Sequence, residues 1–450
     1  MSSPPLSISV AIIGGGLAGL MTAIGLSRAG HQVTVLEKSP VLGQIGAGIK
    51  MPPNATKIFK AWGLLEQLKG LSELPESATL RSYRGEELMR LDLRETMESK
   101  YDSPFLSVHR VDLHHLLAKT AEIEGAQTRL GVETLNISYD SDGHSGPIVE
   151  LADGEHIHAD LVLGADGERS FTRGILLNEG NILRDSGEHV YRVTVPIQEI
   201  LDTADQGLHQ LVNPPQINLW IGPGGNALTY RLKREQLFNI VLMQQHGRES
   251  EAPLAPQIIS KNLVAQEFDK GWDPNFRKIL DLTSTCTRWT LLESDIAPHW
   301  VDGKGQVALI GDAAHAMGPY AGQGAALAFE DAAVLSVLLA RMTSLKQLPD
   351  VLTIYESIRT PRVRKMKQVT KDIRKKHSIP TGPRQEERDR QLREHSPLPG
   401  SAHFLADPVL QPWMFSYNAL EEAEEAWSTF LRGEYPGTCG TWKLGRDGSL

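Results

Sequence analysis

The residues whose types and spacing could do chemistry lie in two glycine-rich stretches, roughly three hundred residues apart. The first contains Gly14, Gly16 and Gly19 in the spacing G-x-G-x-x-G. The second, GDAAHAMGPYAGQG at 311–324, contains the carboxylate Asp312. Glycine lets the backbone approach a phosphate closely, and free N–H groups at a helix start attract the anion. Both stretches therefore indicate places where a nucleotide or another phosphate-bearing cofactor is held.

The first stretch has the flanking elements of a dinucleotide fold. An apolar strand precedes it at 8–13, a helical pattern follows at 17–28, and a second strand at 32–36 ends in Glu37. In this βαβ fingerprint the first glycine allows a tight turn, the second admits a pyrophosphate, and the third lets helix and strand pack closely. Glu37 is placed to accept hydrogen bonds from a ribose hydroxyl, which favours FAD or NAD over NADP.

Three further segments bear on which dinucleotide is bound. The loop at 43–55 combines three glycines with two prolines, and FAD, being longer than NAD, needs such extra main-chain contacts. Asp166 follows a buried strand at 161–163 and, taken alone, is more typical of a simple turn residue. Asp312 follows the apolar run 307–310, at the strand end where open α/β sheets bind ligands. The alternative for Asp312, a helix N-cap, is disfavoured because the next helical pattern begins only near Ala325.

His315 is the imidazole within the second glycine-rich stretch. It is flanked by alanines, a setting more typical of a packed or backbone-bonded histidine than of an acid–base catalyst.

Composition excludes several classes of protein. The net charge of −9 lacks the basic excess that nucleic-acid binding needs. Two cysteines, Cys286 and Cys439, form neither a disulfide framework nor a metal-ligand spacing. No apolar run reaches the ~18 residues of a membrane span, and the N-terminus lacks the basic region of a signal peptide. We therefore expect a cytoplasmic protein without an integral membrane segment, without a metal, and without a nucleic-acid partner.

The region 180–300 has no nucleotide signature and alternates as strands do. Strands are predicted at 190–196, 217–221, 226–232 and 238–243, with a hairpin at 222–225. A sheet of this kind could roof a flavin ring.

Together, GGGLAGL (14–20), ADLVLGADGERS (159–170) and GDAAHAMGPYAGQGAALAFED (311–331) resemble the FAD-dependent aromatic hydroxylases, the single-component flavoprotein monooxygenases. GAGIKMPPNATKIFKAWGL (46–64) and VHRVDLHHLL (108–117) resemble their salicylate-hydroxylase-like branch, which is common in fungal metabolism, secondary metabolism included. The resemblance spans about residues 7–375.

The resemblance implies an α/β fold (α+β overall), with a Rossmann-like FAD-binding domain, an inserted, mainly antiparallel β-sheet substrate domain and C-terminal helices. The FAD-binding domain would comprise 1–75, 105–178 and 300–375. The substrate domain would comprise 76–104 and 179–299. A C-terminal connector and helix would occupy 376–450, the helix predicted at 413–431 and the connector at 378–412.

The resemblance also implies roles for individual residues. Glu37 would bind the adenosine ribose, and Arg110 would reach the FAD phosphate and ribityl region. Asp312 would hold the ribitol hydroxyls, and the 46–50 segment would line the flavin. Asp166 belongs to a motif that serves both FAD and NAD(P)H. The cofactor-binding set is Gly14, Gly16, Gly19, Glu37, Lys38, Ala47, Gly48, Lys50, Arg110, Asp166, Asp312, Pro319, Gly322, Gly324 and Ala325, the last two offering N–H groups to the flavin N1–C2=O edge.

The implied reaction uses O₂ and NAD(P)H. NAD(P)H would reduce FAD, and a flavin C4a-hydroperoxide would hydroxylate a phenolic or carboxylated aromatic compound. In related fungal hydroxylases an arginine of a YR pair and a tyrosine on the neighbouring strand act on the substrate, which makes Arg192 and Tyr230 the catalytic candidates. Some relatives have a histidine where this chain has Asn226, so a simple salicylate-type substrate is in doubt.

Two alternative functions stay open at this point. One is epoxidation of an alkene or indole by the same cofactor, and the other is an oxygen-independent flavoprotein reductase. The sequence is compatible with a monomer or a homodimer.

Overall fold

The computed structural model describes residues 6–43, 48–140, 146–178, 180, 183–234, 236–246, 256–268, 271–394 and 399–434. Its strands, in chain order, are β1 Ser9–Ile13, β2 Gln32–Glu37, β3 Gly48–Met51, β4 Ser72–Glu73, β5 Ser77–Ser82, β6 Glu87–Asp92, β7 Leu106–His109, β8 Gln127–Leu130, β9 Thr134–Tyr139, β10 Pro147–Leu151, β11 His156–His158, β12 Leu161–Gly164, β13 Arg184–Pro196, β14 Gln216–Gly222, β15 Gly225–Leu232, β16 Leu237–Gln245, β17 Gln257–Ser260, β18 Thr285–Glu293 and β19 Val307–Leu309.

The helices complete the element order. They are α1 Leu17–Arg28, α2 Pro53–Ala61, α3 Leu65–Leu71, α4 Arg94–Tyr101, α5 Arg110–Ile123, α6 Phe171–Leu177, α7 Ile197–Leu201, α8 Gln206–Val212, α9 Lys261–Phe268, α10 Pro274–Asp281, α11 Asp312–His315, α12 Gly324–Ala340, α13 Leu348–His377, α14 Pro383–Arg393, α15 Leu410–Phe415 and α16 Ala419–Leu431, with 3₁₀ turns at Pro319–Ala321, Leu345–Gln347 and Phe404–Ala406.

A parallel sheet in the order β19-β12-β1-β2-β8 carries both glycine-rich stretches. Ile13 at the end of β1 lies opposite Leu36 of β2 and Gly164 of β12. β19 pairs with β12 in the same direction. Because all these strands are parallel, their carboxyl ends meet at one edge, which is where such sheets bind ligands.

A larger sheet has the order β17-β18-β13-β16-β15-β14-β5-β6 and is antiparallel apart from the β14–β5 pair. Side chains alternate between its faces. Tyr191 and Trp220 belong to the cluster with α7–α10 on one face, whereas Val190 and Tyr230 belong to the core shared with the parallel sheet. The predicted strands are confirmed here, β13 beginning at Arg184 and so extending further toward the N-terminus than predicted.

The C-terminal region differs from the prediction in two ways. Helix α14 lies inside the predicted connector, and its Leu392 packs with strands β5, β6 and β14. The single helix predicted at 413–431 is two helices, α15 and α16. The break has a local cause: Asn418 caps α16 by accepting a hydrogen bond from the Leu420 N–H (3.2 Å).

The fold class is confirmed: an α/β fold that combines a Rossmann-like parallel sheet, an antiparallel sheet and C-terminal helices. The exact domain boundaries stay a prediction. In the part of the chain that the structure describes, no helix combines the length and apolarity that a membrane crossing requires.

Candidate active site

The two glycine-rich stretches meet at the carboxyl edge of the parallel sheet. Gly14, with φ of +106°, donates its N–H to the Leu36 carbonyl (2.8 Å) and turns the chain into α1. Gly311 lies so close to α1 that a Cβ there would fall 2.9 Å from Ala18 Cβ. Segments roughly three hundred residues apart in sequence therefore form one groove.

The glycines of the first stretch differ in what surrounds them. A Cβ on Gly19 would lie 2.0 Å from the Gly14 carbonyl oxygen, so Gly19 serves close packing of α1 on β1. A Cβ on Gly16, the N-cap of α1, would meet no atom within 4 Å. The open side of Gly16 and the free N–H groups of the first turn fit a pyrophosphate.

Glu37 lies at the end of β2, beside the glycine turn. Its carboxylate accepts hydrogen bonds from the Gly15 N–H (2.7 Å) and the Ser39 N–H (2.8 Å). These contacts hold the Glu37 carboxylate beside the glycine turn, where the ribose next to a bound pyrophosphate would lie. Lys38, the next residue, is exposed.

The predicted flavin-lining segment forms strand β3, paired with β7. A Cβ on Gly48 would lie 2.2 Å from the Tyr230 ring, so the segment and the large sheet are in direct contact. Lys50 packs against Gly322, and burial around its ammonium group lowers its pKa to about 8. Ala47 lies outside the described residues.

The structure places the carboxylates Asp166 and Asp312 differently. Asp166 accepts hydrogen bonds from the Ser170 hydroxyl (2.5 Å) and the Thr172 N–H (2.9 Å), so it supports the start of α6. Asp312 is exposed and is the first residue of the one-turn helix α11. A one-turn helix does begin here, which the sequence pattern did not predict, but its N-cap is Gly311, so Asp312 does not have the disfavoured N-cap role. Burial, reinforced by the charge of Asp312, raises the pKa of neighbouring Glu168.

The remaining predicted cofactor residues lie on the 3₁₀ turn, on α12 and on α5. Pro319 opens the 3₁₀ turn that precedes α12, and Gly322 ends that turn with φ of +62°. Gly324 and Ala325 form the first turn of α12, whose N-terminus carries free N–H groups. Arg110 is the first residue of α5 and contributes to the electrostatic environment of Arg192.

Arg192 and Tyr230 share one face of the large sheet, but they do not lie on neighbouring strands. Strand β16 lies between β13 and β15, with Val241 opposite Arg192. The Arg192 guanidinium carbon is 4.8 Å from the centre of the Trp289 ring. Burial raises the pKa of the Tyr230 hydroxyl, an effect that Arg192 partly opposes.

His315 points away from this groove. Its Nε2 lies 2.7 Å from an oxygen of Asp331, and its ring packs on Trp300 with centroids 5.1 Å apart. Both His315 and Asp331 are fully buried. The geometry agrees with the expected packing role.

Sequence reasoning missed a buried group under the 3₁₀ turn. The Tyr320 hydroxyl donates to Glu188, which is 0% exposed and pairs with Arg374 (3.1 Å). These residues come from the turn, β13 and α13, and no spacing in the sequence connects them. They hold the turn that carries Pro319 in place.

A pocket lies between this turn and the large sheet. Lys50, Asn226, Pro319 and Tyr320 line one part of it. The apolar part of the lining consists of Ala78, Leu80, Phe105, Ile217, Leu219, Leu228, Met243, Phe404 and Leu405. An apolar cleft with a few converging polar groups is typical of a small-molecule site.

Comparisons with known proteins agree with this geometry. A model of the FAD binding domain family matches residues 7–370. The chain is 33% identical over 431 residues to the FAD-dependent monooxygenase OpS4 of Beauveria bassiana, with 93% of this chain and 97% of that protein covered. It is 31% identical over 366 residues to a 3-hydroxybenzoate 6-hydroxylase of Klebsiella oxytoca, with 80% and 87% covered.

Solved structures show the same likeness. A salicylate hydroxylase in a substrate complex superposes with a TM-score of 0.76 at 25% identity, with 94% of this chain and 98% of that chain covered. The match to the FAD binding domain family agrees with the open glycine turn at Gly16. The chain therefore belongs to the FAD binding domain family and is an FAD-dependent monooxygenase of the aromatic hydroxylase group.

Proposed function

We propose that this enzyme uses NAD(P)H and O₂ to hydroxylate a phenolic or carboxylated aromatic compound. The observation that carries the proposal is the placement of Tyr230: its ring touches Gly48 of the predicted flavin-lining segment, on the same sheet face as Arg192. The relatives named for 3-hydroxybenzoate and salicylate support an aromatic substrate of this class.

The chain's own groups bind, orient and shield the substrate. Since burial raises the pKa of Tyr230, its hydroxyl keeps its proton and donates a hydrogen bond to the substrate oxygen. The Arg192 guanidinium, held over Trp289, supplies a fixed positive charge for a phenolate or a carboxylate. A phenolate ring is more electron-rich than the corresponding phenol ring. Holding the substrate as its phenolate therefore promotes attack by the ring carbon on the oxygen atom that is transferred.

The cofactor residues act at the groove. Gly16 and the first turn of α1 would hold the pyrophosphate, Glu37 the ribose, and Asp312 the ribitol hydroxyls. The first turn of α12 would direct its N–H groups at the flavin, where the helix dipole favours negative charge. The bound flavin supplies the redox and oxygen chemistry, while the protein positions the substrate and excludes water.

The test is oxygen uptake by the purified FAD-loaded enzyme with NADH or NADPH and a panel of phenols, hydroxybenzoates, indoles and alkenes. We expect a phenolic compound to accelerate NAD(P)H oxidation and to gain one oxygen by product mass. Tyr230→Phe should lower kcat/KM by about 100-fold with unchanged flavin content.

Tyr191→Phe is the matched control, because Tyr191 adjoins Arg192 on β13 but belongs to the cluster on the opposite sheet face. It should retain activity. Turnover of indoles or alkenes but of no phenol would show that the enzyme catalyses epoxidation rather than hydroxylation. If no compound causes oxygen uptake, the proposal is refuted.

A further inference from the structure

The glycine turn that leads into α1 needs restraints from outside itself. Gly14, Gly15 and Gly16 carry no side chains, and glycine has more backbone freedom than any other residue. A turn whose N–H groups are already fixed in direction binds an anion more tightly than one that must be ordered on binding. The groups that hold these peptide units therefore decide how well the turn is prepared for the cofactor.

Strand β2 supplies two of these restraints. The Gly14 N–H donates to the Leu36 carbonyl (2.8 Å), and the Gly15 N–H donates to the Glu37 carboxylate (2.7 Å). Both bonds hold N–H groups of the turn against the end of the strand. The peptide unit between Gly15 and Gly16 is held by another element.

Helix α5 supplies this third restraint through His114. The Nε2 of His114 lies 2.7 Å from the Gly15 carbonyl oxygen, and the His114 side chain is buried. Because a carbonyl oxygen only accepts hydrogen bonds, Nε2 is the donor, and the neutral ring carries its proton there. Burial lowers the pKa of His114, and the charge of Arg110 contributes in the same direction. The ring is therefore neutral at physiological pH.

The packing of α5 holds His114 itself in position. Leu113 and Leu117 of this helix are 0% exposed and belong to the core that α5 shares with α1. Asp112 of the same helix is also buried, and it pairs with Arg234 (2.6 Å), which follows β15. The helix therefore presents the His114 ring to the glycine turn from a fixed position.

The bond from His114 determines the direction of the Gly16 N–H. In a planar trans peptide the carbonyl of one residue and the N–H of the next point in opposite directions. Since the Gly15 carbonyl points at the His114 ring, the Gly16 N–H points away from that ring. Gly16 is the N-cap of α1, so this N–H has no partner within the helix. The bond therefore keeps an unused donor aligned at the glycine that leaves space for a pyrophosphate.

We infer that His114 is a positioning residue for FAD, which fixes the Gly15–Gly16 peptide so that the Gly16 N–H meets the pyrophosphate. The inference rests on the proposed placement of the pyrophosphate at Gly16 and does not depend on the substrate. Gly15 is buried. Without the donor on His114 its carbonyl loses a partner, the peptide is free to rotate, and the pyrophosphate loses an aligned N–H group.

The experiment measures the Kd for FAD by equilibrium dialysis of the FAD-loaded full-length enzyme against buffers of graded FAD concentration, without NAD(P)H or substrate. His114→Phe keeps a planar ring but has no donor, and it should raise the Kd by about tenfold, as the loss of one hydrogen bond to a buried group implies. His114→Gln carries an amide donor at about the reach of Nε2, and it should restore the Kd to within about threefold of the wild type. Should His114→Phe not fold, His114→Asn, whose amide is one methylene shorter, replaces it with the same expectation.

His31 provides the matched control. Like His114, it is a buried histidine bonded to the backbone, its Nδ1 accepting a hydrogen bond from the Ile8 N–H (3.4 Å). It precedes β2, whereas Glu37 ends that strand, so His31 lies at the opposite edge of the parallel sheet from the glycine turn. His31→Phe should lose stability in urea unfolding but should bind FAD with the wild-type Kd.

Three outcomes would overturn the inference: a Kd within about threefold of the wild type in His114→Phe; an equal loss of affinity in His114→Gln, which would show that the donor has no role; or an equal loss in His31→Phe, which would make the effect one of general stability. The readout involves no turnover. If His114→Phe weakens FAD binding as expected but no phenol is hydroxylated, the proposed function alone is refuted. If a phenol is hydroxylated and His114→Phe keeps the wild-type Kd, only the positioning role is refuted.

Discussion

At Gly16 a methyl group would meet no protein atom within 4 Å, whereas at Gly19 it would collide with the Gly14 carbonyl oxygen. The same residue type therefore serves two purposes in one motif. Gly19 is required by the packing of α1 on β1, and Gly16 keeps space for the cofactor.

Gly16→Ala should therefore weaken FAD binding without destabilising the apoprotein. We expect an affinity loss of about tenfold or more, because the added methyl occupies space that the pyrophosphate needs. Reconstitution of apoprotein with FAD, followed by fluorescence, measures this loss, and urea unfolding measures stability. Gly70→Ala in α3 is the control: it also meets no atom within 4 Å and should leave FAD binding unchanged. Unchanged FAD affinity in Gly16→Ala would contradict the assignment.

At this scale the sequence predicted the glycine turn and Glu37, because a local motif determines their positions. It could not predict that Asn226 and His377, which lie 151 positions apart, line one pocket, because they meet only where α13 ends at the hairpin. Asp166 belongs to a motif that the sequence does reveal, but its carboxylate oxygens accept hydrogen bonds from residues at the start of α6. The motif therefore does not by itself show that Asp166 contacts a cofactor.

At the scale of elements, a buried ion network joins α12 to α13 and α2. Glu330 of α12 is fully buried and pairs with Arg359 and Arg362 of α13, each at 2.7 Å. It also accepts a hydrogen bond from Asn54 of α2 (2.7 Å). Despite the burial, the two arginines keep the pKa of Glu330 below its ordinary value. This network fixes the helix whose first turn faces the predicted flavin site.

Glu330→Gln should destabilise the protein by about 3–5 kcal/mol, because it removes the carboxylate that pairs with the buried Arg362 and one of the two that pair with the buried Arg359, which keeps Asp331 (2.7 Å). Glu424→Gln breaks an exposed pair with Arg341 (2.6 Å), and it should change stability by less than about 1 kcal/mol. Urea unfolding of both variants measures the difference. Equal losses of stability in the two variants would show that the buried network contributes no more to stability than a surface ion pair does.

Element prediction was accurate where apolar periodicity dominates, as in α12 and the strands of the large sheet. It was wrong for α14, because the dense charge of 385–394 conceals buried partners. Arg388 and Asp389 of α14 are buried and bond to each other (2.8 Å), which makes a polar segment part of the folded structure. Pairing of this kind depends on tertiary contact and leaves no periodic signal.

For the whole molecule, the pH dependence of stability follows from its buried histidines. Burial lowers the pKa of several of them: His31, His114, His189, His377 and His403. Each is neutral in the folded state, whereas an unfolded histidine takes up a proton near pH 6.5. Because the unfolded state then binds more protons, stability is lost as pH falls below 6.5, down to the folded-state pKa.

The contribution of His377 to this pH dependence of stability can be measured. With a folded-state pKa of about 3 and an unfolded value near 6.5, it should contribute about 2 kcal/mol to the loss of stability between pH 7.5 and pH 5. Most carboxylates titrate below this interval, so the histidines dominate it. His377→Gln should remove that share of the loss, as measured by urea unfolding at the two pH values. Gly70→Ala, which changes no charge, should show the wild-type difference. If His377→Gln keeps the full wild-type pH dependence, His377 is not held neutral in the folded protein, and the pocket it lines is more accessible to water than the structure shows.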